Sequence, residues 1–230
     1  EILAAAMQDY KRAIIIGSKQ TYGKGTVQNV LDLNRMVKNN TKGDLGALKF
    51  TTQKYYRING GSTQLEGVKS DIVVPNKYTY VDYGEKDQEN PLEWDMIDPV
   101  SYEPWKSFFD YNKTIDASKN RMKSSEFISL IDENARWIKS IRDRDIYTLN
   151  YKKFKEDLLI NEEKAKKYKK LSDYSTNLTF KSLPYEINLI IKDSSLGEKR
   201  KRWHKNLSKD IYVNEALNVL NDLRLSYVER

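Results

Sequence analysis

A change of pattern near residue 76 is the strongest constraint on the fold of this chain. Before that point, short apolar runs alternate with glycine turns, which is typical of the helices and strands of an α/β region. After it, glycine and prolines interrupt the chain as far as Pro104, and apolar residues then recur at helical spacing. We therefore predict an α/β part at residues 1–76, a linker that wraps over the surface at 77–106 and a mainly helical domain at 107–230.

The first part contains several segments with a clear preference. Residues 2–10 are rich in alanine and predict a helix, and the apolar run Ala13–Ile16 predicts a short buried strand. Val27–Leu33 predicts another strand. The β-rich stretch Leu45–Ile58 ends at the turn Asn59–Gly61. This part is expected to be mainly β, with flanking helices.

The later part carries signals for helix ends. Ser124 and Ser125 precede an apolar pattern at helical spacing and are candidate N-caps, because their hydroxyl groups can accept hydrogen bonds from the first helical N–H groups. Tyr151–Leu171 predicts a second, highly charged helix. Asp210 is the expected cap of a last helix.

The composition excludes several chemistries. The 230 residues include 40 basic and 33 acidic side chains, no cysteine and one histidine. Without cysteine there is no disulfide, no thiol nucleophile and no cysteine-based zinc site, and one histidine cannot form a cluster. We therefore predict neither a metal nor a cofactor. The apolar runs span four or five residues, against the roughly 20 needed to cross a bilayer, so we predict no transmembrane segment.

Two basic clusters lie late in the chain, at residues 164–170 and 199–205, and the net charge is +7. Such clusters raise the alternative of nucleic-acid binding. Acidic residues at 156–163 stand at distances from the first cluster that allow ion pairs within one helix, which favours a solvated helix face. We expect the second cluster to be solvated too, and we predict no nucleic-acid partner.

One segment, Gly17–Gln28, invites comparison with a phosphate-binding loop. That motif needs four residues between its glycines and a Ser or Thr directly after the lysine, because backbone N–H groups cradle phosphate and the hydroxyl reaches magnesium. Here five residues separate Gly17 from Gly23, and Gly25 follows Lys24. Both requirements fail, which argues against nucleotide binding.

Glycines on both sides of Lys24 allow a close backbone approach and can turn the lysine inward at the start of a strand. An inward lysine is a candidate general base if desolvation keeps its amine neutral. Gln28, four residues on, lies on the same side of a strand, where its amide oxygen can orient the amine. Spacing alone favours a surface lysine in a glycine turn, so both interpretations stay open at this point.

Four ordered blocks within the first 75 residues resemble a known family. They are Glu1–Tyr10, Gly23–Gln28, Tyr55–Gln64, and Gly67–Val68 with Asp71–Pro75. Together they are similar to the bacterial tail-specific, or C-terminal processing, serine proteases. The later Pro91–Leu92 and Trp94–Asp95, followed by a lysine-rich helical region, resemble the C-terminal extension of the long periplasmic members of that family.

The resemblance implies a fold and a set of site residues. It implies that residues 1–76 are the C-terminal part of a ClpP/crotonase-like catalytic domain, so that the fold class is α/β followed by a helical domain. It implies a Ser–Lys dyad in which Lys24 is the general base and Gln28 positions it, with Gly23 and Gly25 shaping the loop. The family's nucleophilic serine precedes the helix that starts at Glu1, so the chain is expected to be a C-terminal fragment that is inactive alone.

The resemblance also implies a function and a location. We expect an exported, periplasmic serine endopeptidase that degrades proteins from apolar C-terminal tails. Two alternatives stay open for its location, free in the periplasm or associated with the inner membrane. Its expected partners are such proteins and, as a further candidate, an adaptor protein. Two alternatives remain: the helical domain is a binding module without catalysis of its own, or the run Lys199–Lys205 binds nucleic acid.

Some residues depart from the family pattern or imitate other sites. Ser70 stands where many members have proline, and the loop Gly17–Gly23 is one residue longer than in the family pattern. Ser18 and Ser62 are nearby hydroxyls, but we do not expect either to be the nucleophile, because a nucleophile must be presented by its own strained turn beside the base. His204 has no suitably spaced Ser and Asp partners and is expected to be exposed or capping.

Overall fold

A computed structural model describes residues 1–227 of the chain, and its fold is mixed α/β. The helices in this range are α1 (Ile2–Asp9), α2 (Tyr111–Lys123), α3 (Glu126–Arg142), α4 (Tyr151–Lys169), α5 (Pro184–Lys192), α6 (Ser194–Leu207) and α7 (Ile211–Leu225). The strands are β1 (Ile16–Gly17), β2 (Thr26–Asp32), β3 (Ala47–Lys54) and β4 (Ile72–Val73). Single 3-10 turns cover Leu33–Arg35, Glu85–Asp87 and Lys170–Asp173.

The chain divides into two compact units that do not follow the sequence continuously. The first unit consists of residues 1–15, 19–70 and 82–107, and the second of residues 16–18, 71–81 and the chain from 108 onward. Residues 82–107, most of the expected linker, therefore belong to the first unit. The domain division predicted from the sequence stays a prediction, since a compact unit need not coincide with a functional domain.

In the first unit, β2 and β3 form an antiparallel ribbon with Thr26 opposite Lys54 and Asp32 opposite Ala47. The register shifts between Val27 and Gln28. Every residue of β3 and the middle of β2 are exposed, so the ribbon is held by its backbone ladder rather than by a buried face. The ribbon confirms the two predicted strands in this stretch.

An ion pair connects α1 to the rest of the first unit. The Arg57 guanidinium donates from Nε to Oδ2 of Asp9 over 3.0 Å and from Nη2 to Oε1 of Gln8 over 3.0 Å. Both charged side chains are largely buried. The hydrogen bond to Asp9 raises the pKa of Arg57 more than burial lowers it, so the net shift is upward. Ala5, on the inner face of α1, is fully buried. The predicted first helix is confirmed.

In the second unit, β1 and β4 pair in parallel, with Ile16 opposite Ile72. The N–H of Val74 donates to the carbonyl of Gly17 over 2.8 Å, and Ile72 and Val74 are fully buried. The strand predicted over Ala13–Ile16 is wrong in extent, because pairing begins only at Ile16. A strand this short depends on its parallel partner, which lies more than fifty residues away in sequence and gives no local signal.

The helical part confirms two predicted caps. The Ser125 hydroxyl accepts from the N–H of Ile128 over 3.3 Å at the start of α3, and Asp210 accepts from the second and third residues of α7. The charged helix over Tyr151 is confirmed too, although it ends at Lys169. The sequence patterns did not predict α2, α5 or α6.

Two expectations about charge need correction. The carboxylate of Asp157 pairs with Arg144, and Lys167 pairs with Glu133 of α3, so these ion pairs of α4 leave the helix instead of running along it. In the second basic cluster, Arg200 is half-buried and pairs with the buried Glu186 of α5. Its neighbours Lys199, Lys201 and Arg202 are exposed, as expected. The reason is helical spacing, which turns one residue of a four-residue run toward the neighbouring helix.

A buried carboxylate joins α2 and α7. Glu215 accepts from the Ser118 hydroxyl over 2.6 Å and from Arg121 Nη2 over 2.8 Å, and Arg121 also donates to Asp222 over 2.9 Å. Burial alone would raise the pKa of Glu215, but the hydrogen bonds from Arg121 and Ser118 outweigh burial, and the pKa lies below its ordinary value. The ionised carboxylate therefore stabilises the packing of these helices.

We expect this packing to weaken in acid. Because the folded-state pKa of Glu215 is lowered, its contribution is present above the unfolded-state pKa of about 4.3 and is lost as pH falls through the folded-state value. Hydrogen exchange of α2 and α7 amides should show a falling free energy of opening below about pH 4. The variant Glu215→Gln should lose most of this dependence. An unchanged pH profile in Glu215→Gln would show that other groups control it.

Removing the cation Arg121 should lower the free energy of opening more than neutralising Glu215 does. Arg121→Ala leaves Glu215 buried without its main partner, which typically costs about 3–5 kcal/mol, and the partial exposure of Arg121 sets the expected loss near 3 kcal/mol. Arg224→Ala, at an exposed position of α7, is the matched control and should change the opening free energy by about 0.5 kcal/mol or less. Equal effects of the two variants would contradict a buried ion pair.

Candidate active site

The structure brings the two predicted site residues together in the first unit. Lys24 follows the bend at Gly23 and precedes β2, which carries Gln28. Its Nζ donates to Oε1 of Gln28 over 2.7 Å. Lys24 is half-buried and Gln28 exposed. The amine is therefore held by a neutral acceptor at the edge of the ribbon.

The two glycines beside Lys24 are required for different physical reasons. Gly23 has φ +88°, a left-handed conformation that side chains disfavour, and a Cβ there would lie 2.9 Å from the backbone carbonyl of Leu65. Gly25 has no such φ, but its Cβ would lie 2.6 Å from the backbone nitrogen of Gln64 and 2.7 Å from Oγ of Ser62. Both positions allow the backbone around Lys24 to approach residues 62–65.

Gln64 fixes that approach from the opposite side. Its side chain is fully buried, with Oε1 accepting from the N–H of Gly25 over 2.9 Å and Nε2 donating to the carbonyl of Leu92 over 2.9 Å. The carbonyl of Gly23 also accepts from the N–H of Leu65 over 2.8 Å. Reasoning from the sequence did not assign this role to Gln64. A polar amide amid small residues after a Gly-Gly turn was the available signal.

Glu1 was missed as well. Its carboxylate accepts from the backbone N–H of Gly23 over 2.7 Å and from that of Lys24 over 2.9 Å, and the Thr21 hydroxyl donates to the same group. Two consecutive N–H groups in a turn form a natural anion site. The backbone of Lys24 is therefore held by a carboxylate, while its amine is held by an amide.

The two nearby serines, Ser18 and Ser62, and the single histidine, His204, lie in different surroundings. Ser62 is buried, and its Oγ accepts from the N–H of Gln64 over 3.0 Å and donates to the carbonyl of Tyr55 over 3.4 Å. Ser18 is exposed. His204, in the second unit, is half-buried with its ring centroid 5.5 Å from that of Trp203. Among residues 1–227, acidic and imidazole side chains do not gather in a group of three or more that could hold a metal ion.

The turn offers one chemical function, an oriented primary amine at a partly exposed position. A neutral amine in such a place can accept a proton from a hydroxyl that approaches it.

No helix within the described part of the chain is both long and apolar enough to span a bilayer.

Gly25→Ala should disrupt this turn. The added methyl group meets backbone and a buried side chain, so we expect a loss of stability of about 1–3 kcal/mol, the usual cost of overpacking. Gly61→Ala is the matched control, because Gly61, like Gly25, has no left-handed φ, and a Cβ there would meet its neighbours only at ordinary contact distances of 3.4 Å and 3.8 Å. Hydrogen exchange at Gly23–Gly25 should rise in the first variant and stay unchanged in the second. Equal exchange in both would contradict a tight backbone approach at Gly25.

Comparisons with known proteins match both parts of the chain. Residues 1–74 match the profile of peptidase family S41, and residues 78–224 match that of the C-terminal domain of tail specific protease. A tail-specific protease of Haemophilus influenzae is 41% identical over 157 residues, which are 66% of this chain and 22% of that protein. A carboxy-terminal-processing protease of Bartonella bacilliformis is 45% identical over 82 residues, which are 34% of this chain and 17% of that protein.

The extent of these matches differs between the chain and its relatives. The chain spans about a fifth of the length of the curated relatives it matches. The profile of the C-terminal domain, in contrast, covers more than half of the chain, and the S41 profile covers most of what precedes it. On these two profiles, the chain belongs to the tail-specific protease family.

Proposed function

We propose that the protein is a serine-type endopeptidase that cuts peptide bonds by acyl transfer with a Ser–Lys dyad. The observation that carries the proposal is the hydrogen bond of 2.7 Å from Lys24 Nζ to Gln28 Oε1, in a segment that matches peptidase family S41. Lys24 is the general base, Gln28 orients it, and Gly23 and Gly25 shape its loop. The serine is supplied by a part of the protein that the 230 residues do not contain.

The proposed chemistry needs one mobile proton at Lys24. The neutral amine takes the hydroxyl proton as the serine oxygen bonds to the peptide carbonyl carbon. The C–N bond then breaks, and the lysine returns the proton to the leaving amine. Water hydrolyses the resulting ester by the same route, with Lys24 again accepting and returning a proton. The chain alone holds the base and not the nucleophile, so it is proposed to be inactive by itself.

The substrates and the setting are also proposals. The relative from Haemophilus influenzae is named a tail-specific protease, which supports cleavage of proteins recognised by their C-terminal tails. Apolar tails, a ClpP/crotonase-like catalytic fold and a periplasmic location, with or without inner-membrane association, rest on the sequence resemblance. An adaptor protein is a further proposed partner.

A second candidate function concerns the helical part alone. Large apolar side chains are exposed along α4 and α5, including Phe154, Leu158, Tyr185 and Ile187, and cations are interspersed with them. Exposed apolar groups of this size favour a surface that meets another protein. On this view, the helical part selects protein substrates or an adaptor while the first unit supplies the chemistry.

Lys24 is the decisive residue for the first proposal. In the full-length protein, Lys24→Ala should lower kcat for a tailed peptide by at least 10²–10⁴-fold, the usual contribution of a general base. Lys24→Arg should be equally inactive, because a guanidinium stays charged at working pH. Lys19→Ala is the control, since Lys19 is exposed in the preceding loop, and it should keep activity within about twofold. An arginine variant with more than about a tenth of the activity would refute the base assignment.

The exposed cations of α6 should be dispensable for chemistry. Neutralising Lys199, Lys201 and Arg202 to Gln should change stability by about 0.5 kcal/mol or less and leave cleavage of a short tailed peptide unchanged. Arg200→Gln, in contrast, removes the partner of the buried Glu186 and should destabilise the α5–α6 pair by about 1–3 kcal/mol.

Salt dependence separates the remaining interpretations of these cations. If the triple variant impairs cleavage of a whole protein only at low salt, the exposed cations form a docking surface. If it abolishes peptide cleavage, the helical part contributes to catalysis and the proposed division of roles is wrong. A specific affinity for nucleic acid that falls steeply with salt would instead favour the nucleic-acid alternative.

A further inference from the structure

Glu1 occupies a position whose usual role it does not perform. It is the N-cap residue of α1, yet its side chain makes no capping hydrogen bond to that helix. Glutamate is also not among the residues preferred at an N-cap, which have shorter side chains. Its carboxylate instead accepts from the N–H groups of Gly23 and Lys24 and from the Thr21 hydroxyl.

We propose that Glu1 is a positioning residue that fixes the backbone of Lys24, and this inference rests on the proposed function of Lys24 as general base. Oε1 of Glu1 accepts from Gly23 and Oε2 from Lys24. One planar group thus holds two successive peptide N–H groups, so the turn cannot rotate at Lys24 without losing both bonds. Hydrogen bonds to a carboxylate are about twice as strong as those between neutral groups.

Lys24 is then held at both ends. Glu1 fixes its backbone nitrogen at 2.9 Å, and Gln28 fixes its amine at 2.7 Å. A lysine side chain is long and flexible, so an anchor at the amine alone would leave the backbone end free to move. Proton transfer depends steeply on distance and direction, and a displacement of about 1 Å can cost 10²-fold in rate.

Thr21 extends the same arrangement to a neighbouring segment. Its hydroxyl donates to Glu1 and accepts from the N–H of Val68 over 2.8 Å, and its own N–H donates to the carbonyl of Val68 over 3.0 Å. Val68 is fully buried. The carboxylate of Glu1 is therefore itself oriented by a rigid part of the first unit, as a positioning residue requires.

An uncharged side chain of the same size should not replace Glu1. In Glu1→Gln, one of the two oxygens becomes an NH₂ group that faces a backbone N–H, and the turn loses one of its two bonds. In the full-length protein we expect kcat for a tailed peptide to fall about 10- to 100-fold, while KM stays within about threefold, because the groups that bind substrate are untouched. Unchanged kcat in a folded Glu1→Gln protein would overturn the inference.

Glu1→Ser separates positioning from helix capping. Serine is a preferred N-cap, so it should stabilise the start of α1 while leaving Gly23 and Lys24 without their acceptor. We expect Glu1→Ser to be at least as impaired in kcat as Glu1→Gln. Full activity of Glu1→Ser would show that capping, not positioning, is the role of this residue.

Two further measurements keep the test decisive. If Glu1→Gln fails to fold, Glu1→Asp keeps the charge but is one methylene shorter, and we expect it to lose at least threefold in kcat at unchanged KM; an unchanged kcat would overturn the inference. Lys24→Ala is measured alongside. Activity in Lys24→Ala would refute the proposed function itself, whereas an inactive Lys24→Ala with a fully active Glu1→Gln would refute only the role of Glu1.

Discussion

The close approach of the Gly25 backbone to Gln64 is the contact on which the site depends. It brings the turn around Lys24 within hydrogen-bond distance of a buried amide, and there is no space for a side chain at Gly25. Gln64 in turn is held by the carbonyl of Leu92, a residue of the stretch that the sequence suggested was a linker. The turn is thus part of a three-segment backbone arrangement, and its geometry is set by packing rather than by the local preference of Lys24.

The sequence predicted the part of the site that is local. Lys24 directly precedes β2 and Gln28 lies within it four residues on, so a contact between them was a candidate from the sequence, although spacing alone did not decide it. Glu1 and Gln64 act on the same turn from 22 and 39 residues away. Their partners are backbone N–H groups, which carry no sequence signal. Only the fold identifies an acceptor for such groups.

The distinction between local and distant contacts also explains which parts of the fold could be predicted. Caps such as Ser125 and Asp210 are local and were predicted, whereas the pairing of β1 with β4 is distant and was not predicted. Helix α2 was not predicted because polar side chains contribute much of its buried face: Thr114 and Ser118 are buried there with Met122, and Ser118 donates to Glu215. Hydrophobic periodicity finds helices that bury apolar side chains, and it misses a helix that packs through a satisfied polar network.

The two anchors of Lys24 differ in charge, and the difference matters for a base. A carboxylate that contacts an amine stabilises its protonated form, which cannot accept a proton, whereas an amide oxygen orients the amine without adding charge. The chain places the amide of Gln28 at the amine and directs the carboxylate of Glu1 to backbone N–H groups and Thr21. The carboxylate of Glu1, the stronger anchor, thus contacts the backbone, which it positions. The neutral amide of Gln28 contacts the amine, whose state of ionisation matters for the proposed proton transfer. That division is what the proposed role of Lys24 as a proton acceptor requires.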